Sequence, residues 1–297
     1  MGRYNTIIGT ETEKMPEGCF MLLGGIILFS LLFAGLVCAG TGAFGGLRWL
    51  WILPVSWLGF FLVLLAAAFL FLYVMCRRVD LNREQTEDSP FYRKMTAVYI
   101  EFIVQVARVR IHTAGMERLP KEGRFLLVCN HLHNVDPGIL LHQFRNSQLA
   151  FISKQENRDM FLVGKIMHKL QCQMINREND REALKTILKC IQIIREDKAS
   201  IAVFPEGYCS KDGLLQHFRS GVFKIALKTG VPIVVCTLRN TKTVVSNLMH
   251  LKPSDVELHL VAVIPPEELK AVTATEVGER VHRLMAEDLG PALVARE

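Results

Sequence analysis

Residues 125–137 read Phe125-Leu126-Leu127-Val128-Cys129-Asn130-His131-Leu132-His133-Asn134-Val135-Asp136-Pro137. The apolar run 125–128 has the length and composition of a buried strand, so Asn130 and His131 fall where a strand ends and a loop begins. Pro137 and Gly138 then turn the chain into another short apolar segment, 139–144. In an α/β sheet, sites collect at the carboxyl ends of strands. A turn between His131 and Asp136 lets the carboxylate bond one ring nitrogen. The other nitrogen is then free to take a proton from a hydroxyl, which is the base-and-orienter half of a catalytic triad. The spacing by itself also fits an ordinary surface loop. It nearly fits a zinc site, since His131 and His133 alternate. A di-zinc site, however, places a further histidine where Pro137 stands, and no later His, Cys or Asp cluster completes a ligand set. No metal is expected.

Outward from this stretch the texture is α/β. Candidate strands are 125–128, 149–153, 173–176, 200–204, 232–238 and 256–264. Candidate helices are 160–170, 180–196, 218–229 and 274–288. Strands alternating with helices predict a largely parallel sheet covered by helices. Upstream, 91–111 reads as one helix, with Val98, Phe102, Val106 and Val109 on one face and Arg93, Lys94, Arg108 and Arg110 flanking it. Such a helix either lies on a membrane or packs on the domain. Residues 80–90 form a polar linker.

The front of the chain differs in kind. Residues 18–40 carry no charge and, at ~1.5 Å per residue, span roughly 34 Å against a bilayer core of about 30 Å. A Gly-rich link ends at Arg48, and 49–76 is a second uncharged run with Trp49, Trp51 and Trp57 near its start. Arg77, Arg78, Arg83, Arg93 and Lys94 follow, against one basic residue in the link. The excess places both termini in the cytoplasm and 41–48 outside. Two such runs are long for buried helices of a soluble core. The expected organisation is therefore an N-terminal membrane hairpin over 1–79, a linker and amphipathic helix over 80–111, and a catalytic domain over 112–297. That makes a multi-pass protein of the cell membrane with its domain on the cytoplasmic face. The charged residues before Arg77 are Arg3, Glu11, Glu13, Lys14, Glu17 and Arg48, which cancel, so the remainder carries the whole net charge of +6. A mildly basic domain beside a bilayer fits anionic head groups, or solubility alone; no nucleic-acid partner is expected. Residues 1–17 lack the basic start of a signal peptide, and the Met1-Gly2…Thr6 myristoylation pattern is too short to carry weight. None of the eight cysteines forms a C-x-x-C pair, which fits a reducing compartment without a disulfide framework.

Three more strand ends carry unusual residues: Met174-Ile175-Asn176-Arg177, Phe204-Pro205-Glu206-Gly207 with Ser210, and Val231-Pro232-Ile233-Val234. Singly, each has a plain explanation as a surface charge, a turn or a strand start. In this order after Asn130, His131 and Asp136, they resemble the four blocks of the glycerolipid acyltransferase family, whose members acylate lysophosphatidate and related lysophospholipids. The resemblance covers about 111–264.

The resemblance implies that His131 deprotonates the acceptor hydroxyl, that Asp136 holds the imidazole, and that the hydroxyl attacks a fatty acyl thioester without a covalent acyl-enzyme. The donor is acyl-CoA or an acyl carrier protein thioester, and no cofactor is bound. It implies that Glu206, Gly207 and Arg177 bind the glycerol phosphate part of the acceptor, an Arg fork suiting phosphate. The fourth block, with Pro232, is expected to shape the substrate pocket. The family's Thr-Arg in the third block is Tyr208-Cys209 here. Cysteine cannot supply that charge, so Lys211, Arg219 or Lys224 has to replace it, or the acceptor carries a different head group. A lipase or thioesterase is disfavoured because no Gly-x-Ser-x-Gly elbow is present. A non-catalytic lipid-binding protein of the same fold is disfavoured because His131, Asp136, Glu206 and Gly207 occur together.

Overall fold

The computed structural model describes residues 21–295; the first twenty, including Gly2, Thr6, Cys19 and the start of the first apolar run, and the last two lie outside the described residues. Two apolar helices come first, α1 (Met21–Gly40) and α2 (Trp49–Arg77). They pack through a seam of small residues on α1, where Ser30, Ala34 and Cys38 are buried at a spacing of four, and the Phe33 and Phe60 rings meet at 5.3 Å. Small residues let helices approach closely where no water drives them together. The outer faces stay apolar: Leu28, Phe29, Leu36, Leu62, Val63 and Leu70 are all exposed. Both helices are long and apolar enough to cross a membrane, and little of either is buried by the protein itself.

The linker leads into α3 (Pro90–Val106), which starts on a proline that needs no helical N–H partner. The helix expected over 91–111 is therefore too long. Arg108 takes φ 51°, and the chain re-enters as strand β1 (Val109–Ala114). Val109, Ile111 and Thr113 alternate there with exposed Arg110, His112 and Ala114, a period of two that a helical reading passes over. β1 belongs to the sheet, pairing with β7 from Val109 onward.

The other strands are β2 (Leu126–Cys129), β3 (Leu149–Lys154), β4 (Gln173–Ile175), β5 (Ser200–Val203), β6 (Ile233–Arg239) and β7 (Ser254–Ile264). They form one sheet in the order β1-β7-β6-β2-β5-β3-β4, parallel at every pair except β6–β7. The largely parallel sheet read from the sequence is the sheet observed. The period of two divides β2 between two cores. Leu126 and Val128 pack with α6 (Asp180–Arg195), α7 (Lys224–Thr229) and α9 (Ala274–Leu289). Phe125, Leu127 and Cys129 pack with Ile139 and Leu140 of α4 (Asp136–Gln143), and with Ile166 and Met167 of α5 (Val163–Lys169). The short helices α4 and α8 (Thr243–Met249) are too brief to show a helical stripe in the sequence.

Two features place the site. Val128 pairs with Val203, so the loops leaving β2 and β5 depart side by side from the centre of the sheet. Beyond the last β2–β6 pair, Cys129 with Cys236, the Asn130 side chain continues the ladder. Its Oδ1 accepts from Leu238 N at 2.7 Å, and its Nδ2 donates to Leu238 O at 3.0 Å. Without that amide, two buried backbone groups would lose their partners, at about 1–3 kcal/mol each.

Candidate active site

His131 follows β2, and Asp136 opens α4 after one turn closed by Asp136 N donating to His133 O at 3.0 Å. The turn brings the carboxylate back under the ring. Asp136 Oδ2 accepts from His131 Nδ1 at 2.9 Å, Leu132 N at 2.7 Å and His133 N at 2.8 Å. Asp136 is wholly buried. A carboxylate only accepts, so Nδ1 carries the proton and Nε2 presents its lone pair. The ring lies flat on Phe204, with centroids 4.1 Å apart and planes 16° apart, which fixes its orientation.

The β5 loop clamps His131 by its backbone. Glu206 Oε1 accepts from His131 N at 2.7 Å, while His131 O accepts from Ser210 N at 2.8 Å. The second Glu206 oxygen accepts from Gln216 N at 3.0 Å. Glu206 is buried, and desolvation raises its pKa to about 7 despite the two N–H donors, with Asp136 and Asp212 adding repulsion. In the structure, Glu206 thus braces the loops. Gly207 takes φ +85°, and a Cβ there would stand 3.2 Å from Arg219 Nε and 3.9 Å from Arg177 Cζ. The positive φ favours glycine, and a Cβ would press on the Arg219 side chain.

The cations converge at this point. Arg177, just past β4, and Arg219, whose backbone N donates to Pro205 O at 2.8 Å, lie over Gly207. Burial and the neighbouring Arg219 charge both lower the Arg177 pKa, with Glu156 opposing. Two guanidiniums held near each other make a ready seat for an anion. Lys211 stays exposed on the outer side of its loop, its carbonyl accepting from Lys242 Nζ at 2.7 Å. Pro232 is not brought to the site. Its carbonyl accepts from Leu126 N at 3.0 Å, at the amino end of β2. At ~3.3 Å per residue, that is on the order of 15 Å from His131. Two site neighbours, Lys154 and Asn134, escape a sequence reading. The charge of Lys154, at the end of β3, acts on Cys209, as does that of Arg177. Cys209 Sγ lies 3.0 Å from His131 Nε2 and 3.4 Å from Asn134 Oδ1. A Lys at a strand's carboxyl end was the available signal for Lys154. Among the described residues, no His, Cys, Asp or Glu group of three or more is arranged to hold a metal ion.

A family model described as Acyltransferase matches residues 110–239. A 1-acyl-sn-glycerol-3-phosphate acyltransferase of Borreliella burgdorferi is 28% identical over 167 residues, 56% of this chain and 66% of the relative. A probable 1-acyl-sn-glycerol-3-phosphate acyltransferase of Mycoplasma pneumoniae is 32% identical over 177 residues, 58% of this chain and 65% of the relative. The chain thus spans just under two thirds of the length of these relatives. The crystal structure of the 1-acyl-sn-glycerophosphate (LPA) acyltransferase PlsC from Thermotoga maritima shares the fold, with a TM-score of 0.54 at 20% identity over 76% of this chain and 89% of that one. Residues 110–239, which hold the Asn-His…Asp turn and the Pro-Glu-Gly loop that braces it, are thus similar to acyltransferases, and the parallel-centred sheet is the fold shared with the solved neighbour.

Glu206 should leave a pH signature on stability. Its pKa is about 7 folded against 4.5 for an ordinary glutamate, so the folded chain holds this proton more tightly. That stabilisation is full below the unfolded value and is lost as pH rises through the folded one, an effect worth about 3 kcal/mol. Thermal unfolding of wild type and Glu206→Gln at about pH 4.5 and about pH 8 should show wild type losing ground to the variant as pH rises. A constant difference between them would mean that Glu206 is not held protonated by burial.

Proposed function

We propose that this chain moves a fatty acyl group from an acyl thioester to the free hydroxyl of a lysophospholipid, with 1-acylglycerol-3-phosphate as acceptor and phosphatidate as product. The observation that carries the reading is a buried Asp136 holding His131 with Nε2 turned towards the β5 loop, next to Arg177 and Arg219. His131 takes the proton of the attacking group and returns it to the departing thiol. Asp136 steadies the ring and balances the imidazolium. The guanidinium pair holds the acceptor phosphate, with Arg219 supplying the charge that Cys209 lacks. Gly207 keeps the space for Arg219, and Glu206 braces the loop. The donor is acyl-CoA or an acyl carrier protein thioester, and the chain itself carries no cofactor.

The domain reading goes with it: an apolar hairpin through α2, a linker, and a catalytic domain that begins at β1. The hairpin spans the cell membrane, and the basic cluster after it keeps the domain on the cytoplasmic side. The similar proteins, 1-acyl-sn-glycerol-3-phosphate acyltransferases, support this acceptor. The replacement of the family's Arg by Cys209 favours the second reading, an acceptor with a substituted phosphate.

Transfer from a radiolabelled acyl thioester to a panel of lysolipids tests the reading. His131→Ala should lower transfer by about 10²–10⁴-fold, with thermal unfolding measured alongside because the ring stacks on Phe204 and pairs with buried Asp136. Unchanged transfer in that variant would remove His131 as the base. Arg219→Ala should raise the KM for lysophosphatidate by about 10- to 150-fold, the worth of one charged hydrogen bond of about 1.5–3 kcal/mol. Lysolipids with substituted phosphates should be affected less. An equal loss across the panel would mean that Arg219 does not read the phosphate monoester. For topology, single cysteines at Gly45 and Ser89 in an otherwise cysteine-free chain should label oppositely from outside intact cells. Gly45→Cys should react and Ser89→Cys should not; the reverse pattern would invert the orientation.

A further inference from the structure

Two loops rich in exposed apolar side chains stand at the sheet edge that carries His131, one on each side of it. The first follows β3. Met160, Phe161 and Val163 are exposed there, Phe161 by 68%. The loop is drawn tight, since Gly164 N donates to Met160 O at 3.0 Å and a Cβ on Gly164 would meet the carbonyl oxygen of Arg158. The second is the turn between α8 and β7. Met249 is 80% exposed and Leu251 79%, and Val245 and Leu248 of α8 are exposed as well. Arg108 Nη1 donates to Leu251 O at 3.1 Å, and Ser254 N donates to Arg108 O at 3.2 Å. These bonds tie the turn to the end of α3, where Ile103 and Val106 are also exposed. One exposed apolar side chain is ordinary, whereas a group of them marks an interaction surface.

The topology puts both loops and the hairpin on one side of the domain. β2, β3, β5 and β6 are parallel, so their carboxyl ends share the edge where His131, Glu206 and the loop after β3 lie. β7 runs antiparallel to β6, so the turn that precedes β7 stands at the same edge. α2 points there too. Tyr92 Oη donates to Met75 O and Tyr99 Oη to Ala68 O, so α2 and α3 run antiparallel. The earlier part of α2 therefore projects past the end of α3, where β1 begins beside the start of β7. The Phe161 ring lies 5.7 Å from the ring of Tyr73 on α2, so the first loop continues the apolar surface of the hairpin. Cations border both loops, Arg158 and Lys165 at the first and Arg108 and Lys252 at the second. The nearby Asp255 is engaged by Arg110 and His112.

We propose that these two loops enter the interfacial layer of an anionic bilayer, so that the domain rests on the membrane by its carboxyl edge and His131 faces the head groups between them. The proposal rests on the reading of α1 and α2 as a membrane hairpin and adds contacts made by the domain itself. Apolar side chains drive such partition, and the bordering cations meet the anionic head groups. A second copy of the chain is a poorer occupant, because a partner covering both loops would also cover the site between them.

The test uses the full chain in nanodiscs of phosphatidylcholine and phosphatidylglycerol, one chain per disc. Chloramine-T, a water-soluble oxidant that converts methionine to its sulfoxide, reads the exposure of each methionine through peptide mass. Met249 is more exposed in the protein than the half-buried Met116, which follows the carboxyl end of β1 at the opposite edge of the sheet. In discs the order should reverse, with Met249 and Met160 oxidised several times more slowly than Met116. Lipids brominated on their acyl chains should quench the native Trp49, Trp51 and Trp57 in the same discs, which checks the hairpin by itself. Quenched tryptophans with Met249 and Met160 oxidised faster than Met116 would overturn the proposal and leave the hairpin standing. Unquenched tryptophans would remove the hairpin reading and the proposal with it. Protection confined to discs that hold two chains would assign the loops to a second copy and overturn the proposal as well. The paired substitutions Met249→Asp and Leu251→Asp should raise the KM for lysophosphatidate embedded in vesicles by about tenfold and leave KM and kcat for a water-dissolved short-chain lysophosphatidate unchanged. An unchanged KM in vesicles would count against the second loop in the same way. Oxidation of the unsubstituted chain decides the matter where the paired variant does not fold.

Discussion

The site depends on the pairing of β2 with β5, and within it on one hydrogen bond, from the His131 backbone N–H to Glu206 Oε1 at 2.7 Å. Val128 and Val203 are partners in the sheet, and His131 and Glu206 each lie three residues beyond them. A shift of register by one residue would send every side chain of β2 to the other face and separate the two loops. The buried cores on both sides of the sheet forbid that shift, because Leu126 and Val128 fill one and Leu127 and Cys129 the other. The geometry of the His131–Asp136 pair is thereby inherited from apolar packing. The polar clamp of Glu206 and Ser210 on the two backbone atoms of His131 then removes the remaining freedom of the loop.

Buried negative charge is arranged so that each carboxylate has N–H donors. Asp136 Oδ2 takes three, two of them from backbone that the same turn creates. Glu206 takes two, one on each oxygen, yet its pKa still sits near 7, so burial outweighs the donors there. The positive groups are distributed differently. Arg177 and Arg219 come from separate loops and meet over a glycine that could hold no side chain without pushing Arg219 away. The carboxylates face backbone and build the scaffold, while the guanidiniums stand over the glycine and are available to a ligand.

Much of this was legible in the sequence, and the exceptions have physical causes. Long apolar runs at strand ends marked β2, β5 and β6 within a residue or so, because central parallel strands are buried on both faces. β1 reads in the sequence as the end of a helix, since an amphipathic edge strand of six residues following a helix shares its apolar positions with a helical stripe. His131 and Asp136 could be paired from their spacing because one turn closes that loop. The convergence of Arg219 with Arg177 could be raised only as one option among three nearby cations, since it depends on where a loop after β5 folds back. The contact of Cys209 with His131 was not legible at all. It arises from two loops 78 residues apart in the chain, and no local pattern encodes it. Pro232 stands at the amino end of β6, away from His131, which its place in a motif does not reveal.

The apolar hairpin and His131 are mechanically connected through packed helices. The end of α2 packs on α3 and α5 through Leu72, Cys76, Met95 and Tyr99, and Tyr92 Oη donates to Met75 O at 2.9 Å. α3 in turn packs on α4, where Glu101 and His142 form a partly buried pair at 2.8 Å. α4 begins with Asp136 itself. The path from the apolar hairpin to the carboxylate that orients His131 therefore runs through two helix contacts and no flexible linker. Packed helices are stiff on the scale of an ångström. With the hairpin in a bilayer, as proposed, the height of Nε2 above the head groups is set by side-chain packing. A lysolipid that keeps its acyl chain among the lipids can then present its hydroxyl at one depth, and positioning of this kind is a large share of what an enzyme can supply to a two-substrate reaction.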